Sequence, residues 1–466
     1  MRPTVKLWPA LASLAIVFGL APAAAIAADA RKPNILIILS DDHGYADVGF
    51  QGCRDIPTPN LDSLARNGVR FSNGYVSGPY CSPTRAGLLT GRYQQRFGHE
   101  FNPGPTDAEK IGLPLSETTI ADRLKAAGYV TGIVGKWHLG SADHFHPQRR
   151  GFEEFFGFLG GAHPYFPGQG APIYRGTGIV DEQSYLTDAF AREAVSFVER
   201  HKKDPFLLYL AFNAVHTPMH ASDDRLARFA SIKDESRRKY AAMLTALDDG
   251  VGKVLDALRA SGLERDTLIV FHSDNGGPTM RGTTINASRN DPLRGSKRTT
   301  LEGGIRVPFV VSWKGSLPEG VVYEQPVIQL DVLPTVLAAA GVKVEPQWKL
   351  DGVNLLPYVK GEIAGPPHAA LFWRLGEQTA VRRGDWKLVR YDRIADETTG
   401  QSDPQTEARV TQPRLYNLAR DLGEKDDLAT AHPEKVAELQ ALWNSWAGEL
   451  KEPLWRPARQ VARVSR

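Results

Sequence analysis

Asn34-Ile35-Leu36-Ile37-Ile38-Leu39-Ser40 carries no charge and shows no polar alternation. A half-exposed strand would alternate. An unbroken apolar run suits a strand covered on both faces, as in a parallel sheet packed between helices. The run stops at Asp41-Asp42, and the chain then repeats the same grammar. Thr58-Pro59 opens a helix with Leu61, Leu64 and Ala65 on one face and Gly68 as its stop. Thr118 to Gly128 reads as a second helix, followed by a strand near Tyr129 to Val134. Ser184 to Lys203 is a longer amphipathic helix before the strand Phe206 to Phe212. Arg237 to Ala260 is helical and Thr267 to His272 extended. Arg306 to Trp313 is a further strand, and Asp331 to Ala340 a helix. Strand–helix alternation on this scale predicts an α/β fold with a mostly parallel sheet.

From about residue 365 the texture changes. Leu371 to Trp373, Gln378 to Arg382 and Trp386 to Tyr391 are short strands with turns between them, which predicts a small antiparallel sheet. Asp392 to Gln412 is polar and reads as a loop, and Pro433 to Leu450 as a closing helix. The organisation expected is a segment 1–27, a large α/β domain over 32–364, a C-terminal subdomain over 365–452 and a tail over 453–466. Arg2 and Lys6 precede the apolar run Leu7 to Leu20, and Ala25-Ile26-Ala27 follows as a cleavage box. This is the pattern of a secretory signal peptide. It predicts an exported protein, periplasmic or extracellular, with no membrane attachment once processed. The formal charge is +3 over 466 residues, too balanced to suggest a nucleic-acid partner. There are two cysteines, Cys53 and Cys81, in a chain long enough to bury a core without a bridge.

In open α/β sheets, sites form beyond the carboxyl ends of the strands. Four ends here carry polar residues: Asp41-Asp42; Lys136-Trp137-His138; His216-Thr217-Pro218; and Asp274-Asn275-Gly276. Taken singly, each has a plainer reading, since Asp41 could cap a turn, Lys136 could be solvated and Asp274-Asn275-Gly276 is a good turn sequence. Asp41, Asp42, Asp274 and Asn275 together offer only oxygen, which suits a hard cation such as Ca²⁺ or Mg²⁺. Neighbouring strand residues point to opposite faces, so each pair converges only where the chain is already turning. Gly44 and Gly276 are consistent with that turn. Cys81-Ser82-Pro83-Thr84-Arg85 begins a helix that Gly91 ends. Cys81 lies at its N-terminus, and Arg85 lies one turn on, able to reach back to residue 81.

This last stretch, with Leu89-Thr90-Gly91-Arg92, resembles the signature of the type I, formylglycine-dependent sulfatases of the alkaline phosphatase superfamily, the group of arylsulfatases and N-acetylgalactosamine-6-sulfatase. Asp41-Asp42-His43-Gly44, Gly135-Lys136-Trp137-His138-Leu139-Gly140, Ser273-Asp274-Asn275-Gly276 and Gly295-Ser296-Lys297 through Glu302-Gly303-Gly304 stand in that family's order. The resemblance spans roughly residues 32 to 450. It implies an alkaline-phosphatase-like fold and hydrolysis of sulfate esters, expected on a sulfated glycan. It implies that Cys81 is converted to formylglycine by a formylglycine-generating enzyme, and that the hydrated aldehyde is the nucleophile. One Ca²⁺ (Mg²⁺ as the lesser choice) would be held by Asp41, Asp42, Asp274, Asn275 and residue 81. Arg85 would steady the hydrate, and Lys136 and Lys297 would hold sulfate oxygens. His216 would be the acid for the leaving alcohol and His138 the base that releases sulfate. Arg294 and Arg298 are rivals of Lys297, and His220 is a rival of His216. Trp137 should point into the core.

Two other readings use the same residues: a phosphodiesterase or phosphonate monoester hydrolase of the same superfamily, and an inactive glycan-binding homologue. Gly98 to Phe101, His144 to Arg150 and His163-Pro164-Tyr165 could line an outer pocket or simply pack as loops. Cys53, left alone, is expected to be buried.

Overall fold

The run Asn34–Ser40 forms strand β1, with every residue buried. Along the chain follow β2 (Val69–Phe71), β3 (Gly74–Tyr75), β4 (Val130–Lys136), β5 (Glu154–Phe158), β6 (Ile173–Arg175), β7 (Gly178–Val180) and β8 (Phe206–Ala211). Then come β9 (Thr267–Ser273), β10 (Phe309–Ser312), β11 (Val321–Tyr323), β12 (Val327–Ile328), β13 (Leu371–Leu375), β14 (Gln378–Arg383), β15 (Trp386–Arg390) and β16 (Arg414–Asn417). This computed structural model describes residues 1, 3–4, 31–104, 107–397 and 409–456. Nearly all of the segment read as a signal peptide, most of the polar loop after Asp392 and the end of the tail lie outside those residues. Lys32–Arg466 forms one compact unit. No helix among the described residues is long and apolar enough to cross a membrane.

Ten strands make one sheet in the order β11-β2-β10-β9-β1-β8-β4-β5-β6-β7. Its middle, β9-β1-β8-β4-β5, is parallel throughout. Leu36 and Ile38 of β1 pack on one side with Leu208, Leu210 and the helices Leu186–Arg200 and Glu235–Ala260. Ile35, Ile37 and Leu39 pack on the other with Ala86, Leu88 and Leu89. Burial on both faces is why the run lacks alternation, and each such side chain contributes about 1.5–3 kcal/mol. The strand read from Arg306 begins only at Phe309, because Pro308 has no N–H for a ladder. β10 then pairs antiparallel with β9, making the sheet mixed.

β13 to β16 form the small antiparallel sheet in sequence order. The helix Pro433–Ala447 covers one face through Leu439, Val436 and Leu442. The other face, with Trp373, Ala380 and Tyr416, packs on Tyr75, Leu301 and Ile305. Lys387 of β15 is buried and pairs with Glu302 at 2.9 Å and Glu424 at 2.8 Å, tying this sheet to the segment that follows Lys297. Of the polar stretch 392–412, Ile394–Glu397 is a helical turn rather than loop.

The strand β4 meets β8 unusually closely at one residue. Gly135 has φ +118°, and a Cβ there would sit 1.9 Å from the Ala211 carbonyl oxygen. Gly135→Ala should therefore push apart the two strands that carry Lys136 and His216. We expect a loss of about 3 kcal/mol in urea unfolding, and an unchanged midpoint would contradict this close approach.

Candidate functional site

Four adjacent strands, β9, β1, β8 and β4, deliver the polar clusters to one rim. Backbone bonds carry the register past the strand ends: Asp274 N–H donates to Ser40 O at 3.0 Å, Asp41 N–H to Ala214 O at 3.0 Å, and Val215 N–H to Asp41 O at 2.8 Å. The turn that lets Asp41 and Asp42 face one point is made by Asp42 itself, with φ +57°. Gly44 and Gly276 serve close packing instead. A Cβ on Gly276 would lie 1.8 Å from the Gly303 carbonyl oxygen, and one on Gly44 2.3 Å from that of Arg289.

Helix α1 (Pro59–Arg66) packs through Leu61, Leu64 and Ala65 in the core on one face of the sheet, whereas α2 (Cys81–Thr90), every residue buried, packs in the core on the other and starts at this rim. A helix buried all round shows no amphipathic stripe. Gly91, in the left-handed region at φ +65°, ends it by donating to Gly87 O. Cys81 Sγ lies 3.6 Å from Asp41 Oδ1. Ligand atoms of Asp41, Asp42, Cys81 and His216 all lie within 4.8 Å of one another. Cys81 is 0% exposed, and burial pushes its thiol well above the ordinary range, against the pull of Lys136 and Lys297. The unmodified thiol is thus poorly suited to attack as a thiolate.

Cations interleave the acids. Lys136 donates to Asp41 in a very short contact. Lys297 Nζ donates to Asp42 at 2.7 and 2.8 Å. Arg85 donates from Nε and Nη2 to Asp274 Oδ2 at 3.1 and 2.8 Å, from Nη1 to the Lys136 carbonyl at 3.2 Å, and lies 3.6 Å from Asp41. Its guanidinium is therefore committed to these partners, and the expected reach to residue 81 is not among its hydrogen bonds. Burial works against ionised Asp41, but Lys136, His216, Arg85 and Lys297 together hold it far below the usual carboxylate range. Burial and the charge of Asp41 push Asp274 up, with Arg85 opposing.

Asn275 donates its amide to Asp42 Oδ1 at 2.8 Å, while its own Oδ1 is buried with no partner. An orphaned carbonyl beside two carboxylates is the donor set a hard cation takes. Of the five expected metal ligands, Asp41, Asp42 and Cys81 converge directly. Asn275 offers its free oxygen, and Asp274 is tied to Arg85 and to the Asp42 N–H at 3.2 Å. His216, expected at the site as an acid and not as a ligand, also joins the convergent group.

The histidines differ in their hydrogen bonding. His216 Nδ1 faces the Thr217 carbonyl at 2.6 Å, so it carries the proton, and Nε2 lies 3.5 Å from Asp42. Burial lowers its pKa while Asp41 and Asp42 raise it. His138 adopts φ +59°, and its buried Nδ1 has no partner. Burial, then Lys136 and Arg85, hold it neutral. His220 instead stacks on Phe166. Arg294 pairs with Asp396 and Arg298 bonds the Gly282 carbonyl, so Lys297 alone of the three reaches the acids.

The profile of the sulfatase family matches residues 33–342. The chain belongs to the sulfatase family. This sulfatase is 33% identical over 437 residues to N-acetylgalactosamine-6-sulfatase of Mus musculus, covering 86% of this chain and 82% of that one. It is 36% identical over 471 residues to arylsulfatase A of Bos taurus, covering 91% and 88%. A crystal structure of Ps i-CgsB in complex with k-i-k-neocarrahexaose superposes with a TM-score of 0.84 at 37% identity, covering 93% of this chain and 96% of that one. The sulfatase is thus a sulfuric ester hydrolase with the alkaline-phosphatase-like fold.

Several of its residues at the site carried no sequence signal. Thr284 donates to Asp42 Oδ2 at 3.0 Å, and Asn286 bridges the Asp42 and Val215 carbonyls at 3.0 and 2.9 Å, both from an irregular loop. Of the three stretches weighed as an outer pocket, His163-Pro164-Tyr165 does line a cavity, with Phe166 and Glu182, while the others supply mostly packing residues. His99 is buried against Ser82, Glu100 pairs with Arg374, Arg150 is spent on backbone carbonyls, and His163 and Tyr165 are buried. Cys53 is half-buried, not buried. Trp137 does face the core, at 0% exposure.

Ser82, inside the signature, has a task of its own. Its hydroxyl donates to the His138 carbonyl at 2.6 Å and accepts from His99 Nε2 at 2.6 Å, clamping the left-handed backbone at His138. Ser82→Ala should cut kcat by about 10-fold, equivalent to about 1.4 kcal/mol, with KM little changed in steady-state kinetics. An unaltered kcat would show that the clamp is dispensable.

Proposed function

We propose that this sulfatase removes sulfate from a sulfated glycan, using residue 81 as formylglycine and one bound Ca²⁺. The observation that carries the reading is the convergence of Cys81 with Asp41, Asp42 and His216 at a helix N-terminus. Oxygen ligands dominate this set, and the free Asn275 oxygen adds to it, which fits calcium better than zinc. Asp41, Asp42, Asp274 and Asn275 would hold the ion. When bound, it supplies charge that acidifies a hydroxyl on residue 81 and draws on a sulfate oxygen.

The remaining work falls to the chain. Lys136 and Lys297 stand beside the acids, where they stabilise negative charge on the sulfuryl oxygens. Arg85 fixes Asp274 and the Lys136 carbonyl, keeping the pocket's geometry. As a residue-81 hydroxyl passes its proton to Asp41, the acid 3.6 Å from Cys81 Sγ, and bonds to sulfur, the bond from sulfur to the alcohol oxygen breaks. His216, as an imidazolium with its Nδ1–H on the Thr217 carbonyl and its Nε2–H facing Asp42, gives that oxygen its proton; Asp41 and Asp42 support this charge against burial. His138, whose Nδ1 is free, then takes the proton of the second hydroxyl, which releases sulfate and restores the aldehyde. Water rehydrates it, so ester plus water yields alcohol plus hydrogen sulfate.

A saccharide substrate is supported by the name of the murine relative and by the carrahexaose in the Ps i-CgsB structure. We place the reaction outside the cytoplasm, on the pattern of residues 1–27. A formylglycine-generating enzyme is then required during production.

Peptide mass spectrometry of active protein should find residue 81 as an aldehyde, and Cys81→Ala should abolish turnover while costing only about 1 kcal/mol of stability. An unmodified thiol in fully active enzyme overturns the nucleophile. Exhaustive chelation should depress activity, with recovery on adding Ca²⁺. Activity indifferent to chelation and to added ion counts against the metal.

A further inference from the structure

Three non-glycine residues around the site share a left-handed backbone: Asp42 at φ +57°, His138 at φ +59° and Arg298 at φ +72°. Such a backbone is costly for any residue with a Cβ and tends to persist where function requires it. The first two hold proposed ligand and base positions. Arg298 had no role beyond rivalry with Lys297.

Its backbone is fixed from two sides. The Arg298 N–H donates to Pro79 O at 2.7 Å, and its carbonyl accepts from Gln378 Nε2 of the small sheet at 2.8 Å. Its guanidinium donates one N–H to the Gly282 carbonyl at 2.8 Å. Among the described residues no carboxylate pairs with it, whereas Arg294 has Asp396 and Lys297 has Asp42. It is also only partly covered, unlike its buried neighbour Lys297. The Lys297 Nζ and the Arg298 guanidinium carbon lie 5.7 and 5.9 Å from the centre of the Tyr80 ring, the residue directly before Cys81. Across from it, Thr284 touches Asp42 while being itself exposed, and Ile285 next to it is 53% exposed. Arg298 therefore presents an unneutralised fork at the outer edge of the site, beside the Tyr80 ring.

We propose that Arg298 is a specificity-determining residue that receives a second anionic group of the substrate, a neighbouring sulfate or carboxylate, so that the enzyme prefers multiply charged glycans. The inference rests on the glycan reading above. A guanidinium with donors to spare binds such a planar or tetrahedral oxyanion in two-pronged fashion. The anion sits beyond the scissile sulfate, because Lys297 and Asp42 lie deeper. The exposed Ile285 and the partly covered Tyr80 suit the apolar face of the sugar between the two charges.

The rival role for Arg298 is mechanical, a latch on the loop through Gly282. Two variants separate these roles. Arg298→Gln keeps a polar side chain and the same backbone demand but drops the charge. Arg298→Lys keeps the charge and also retains a donor long enough for the Gly282 carbonyl. The measurement is kcat/KM for the first sulfate released from a disulfated against a monosulfated galactose-containing disaccharide, with unfolding midpoints recorded. Arg298→Gln should lower the disulfate-to-monosulfate ratio by about 10-fold, the scale of one charge-assisted contact. Arg298→Lys should restore most of it. A ratio equal in wild type and Arg298→Gln overturns the proposal, as does an equal loss on both substrates. If wild type turns over 4-nitrophenyl sulfate but neither saccharide, the glycan reading falls and takes this inference with it. That result is distinct from an unchanged ratio.

Discussion

Six charges are buried together at the carboxyl ends of four strands, and the surrounding structure is arranged to make that tolerable. Asp41, Asp42 and Asp274 stand against Arg85, Lys136 and Lys297, none more than 3% exposed. Stripping water from such groups costs several kcal/mol each, and Coulomb attraction offsets it only when every partner is in place. Removing one cation would leave a bare buried carboxylate, a loss of about 3–5 kcal/mol. A balanced cluster of this kind adds little net stability. What it provides is fixed charge in a dry site, already oriented before a substrate arrives.

The scaffold supplies that orientation through backbone, not through long side chains. Asp41 and Asp274 sit one residue past β1 and β9, in register across a parallel pair, with Asp42 next along, and α2 packs on the sheet through Ala86, Leu88 and Leu89. Lys297 comes from a less regular part of the chain. Its segment is braced at Gly303, whose N–H donates to Arg294 O at 2.7 Å, and at Glu302, held by buried Lys387 and by Glu424. The small sheet thus acts on the site at a distance, by holding the loop that carries one of its cations.

The parallel core was legible because burial on both faces leaves an unbroken apolar run, and each run ended on the residues that converge. The signature around Cys81 was legible as a helix because Pro83 and Gly91 mark its ends. Other features left no trace in the sequence. Asp42 and His138 turn the chain in the left-handed region without being glycine, so the glycines nearby drew the credit while serving close packing. Arg85 sits one turn from residue 81, but the pull of two buried carboxylates sends it to Asp274. Thr284 and Asn286 reach Asp42 from a loop with no period to read. His99 and Arg150 looked like pocket residues by type, yet their donors are used up inside the protein.

Cys81 is wholly enclosed, at the start of a helix with no exposed residue. A second protein that must grip this side chain and its flanking backbone would have to unravel α2, and α2 is part of the central core. Any catalyst that alters residue 81 therefore has to meet the chain before this helix docks. If residue 81 is converted as proposed, the order of events is fixed: that chemistry comes first and folding second. A molecule that folded before it would then be locked out of the conversion, however sound its final structure.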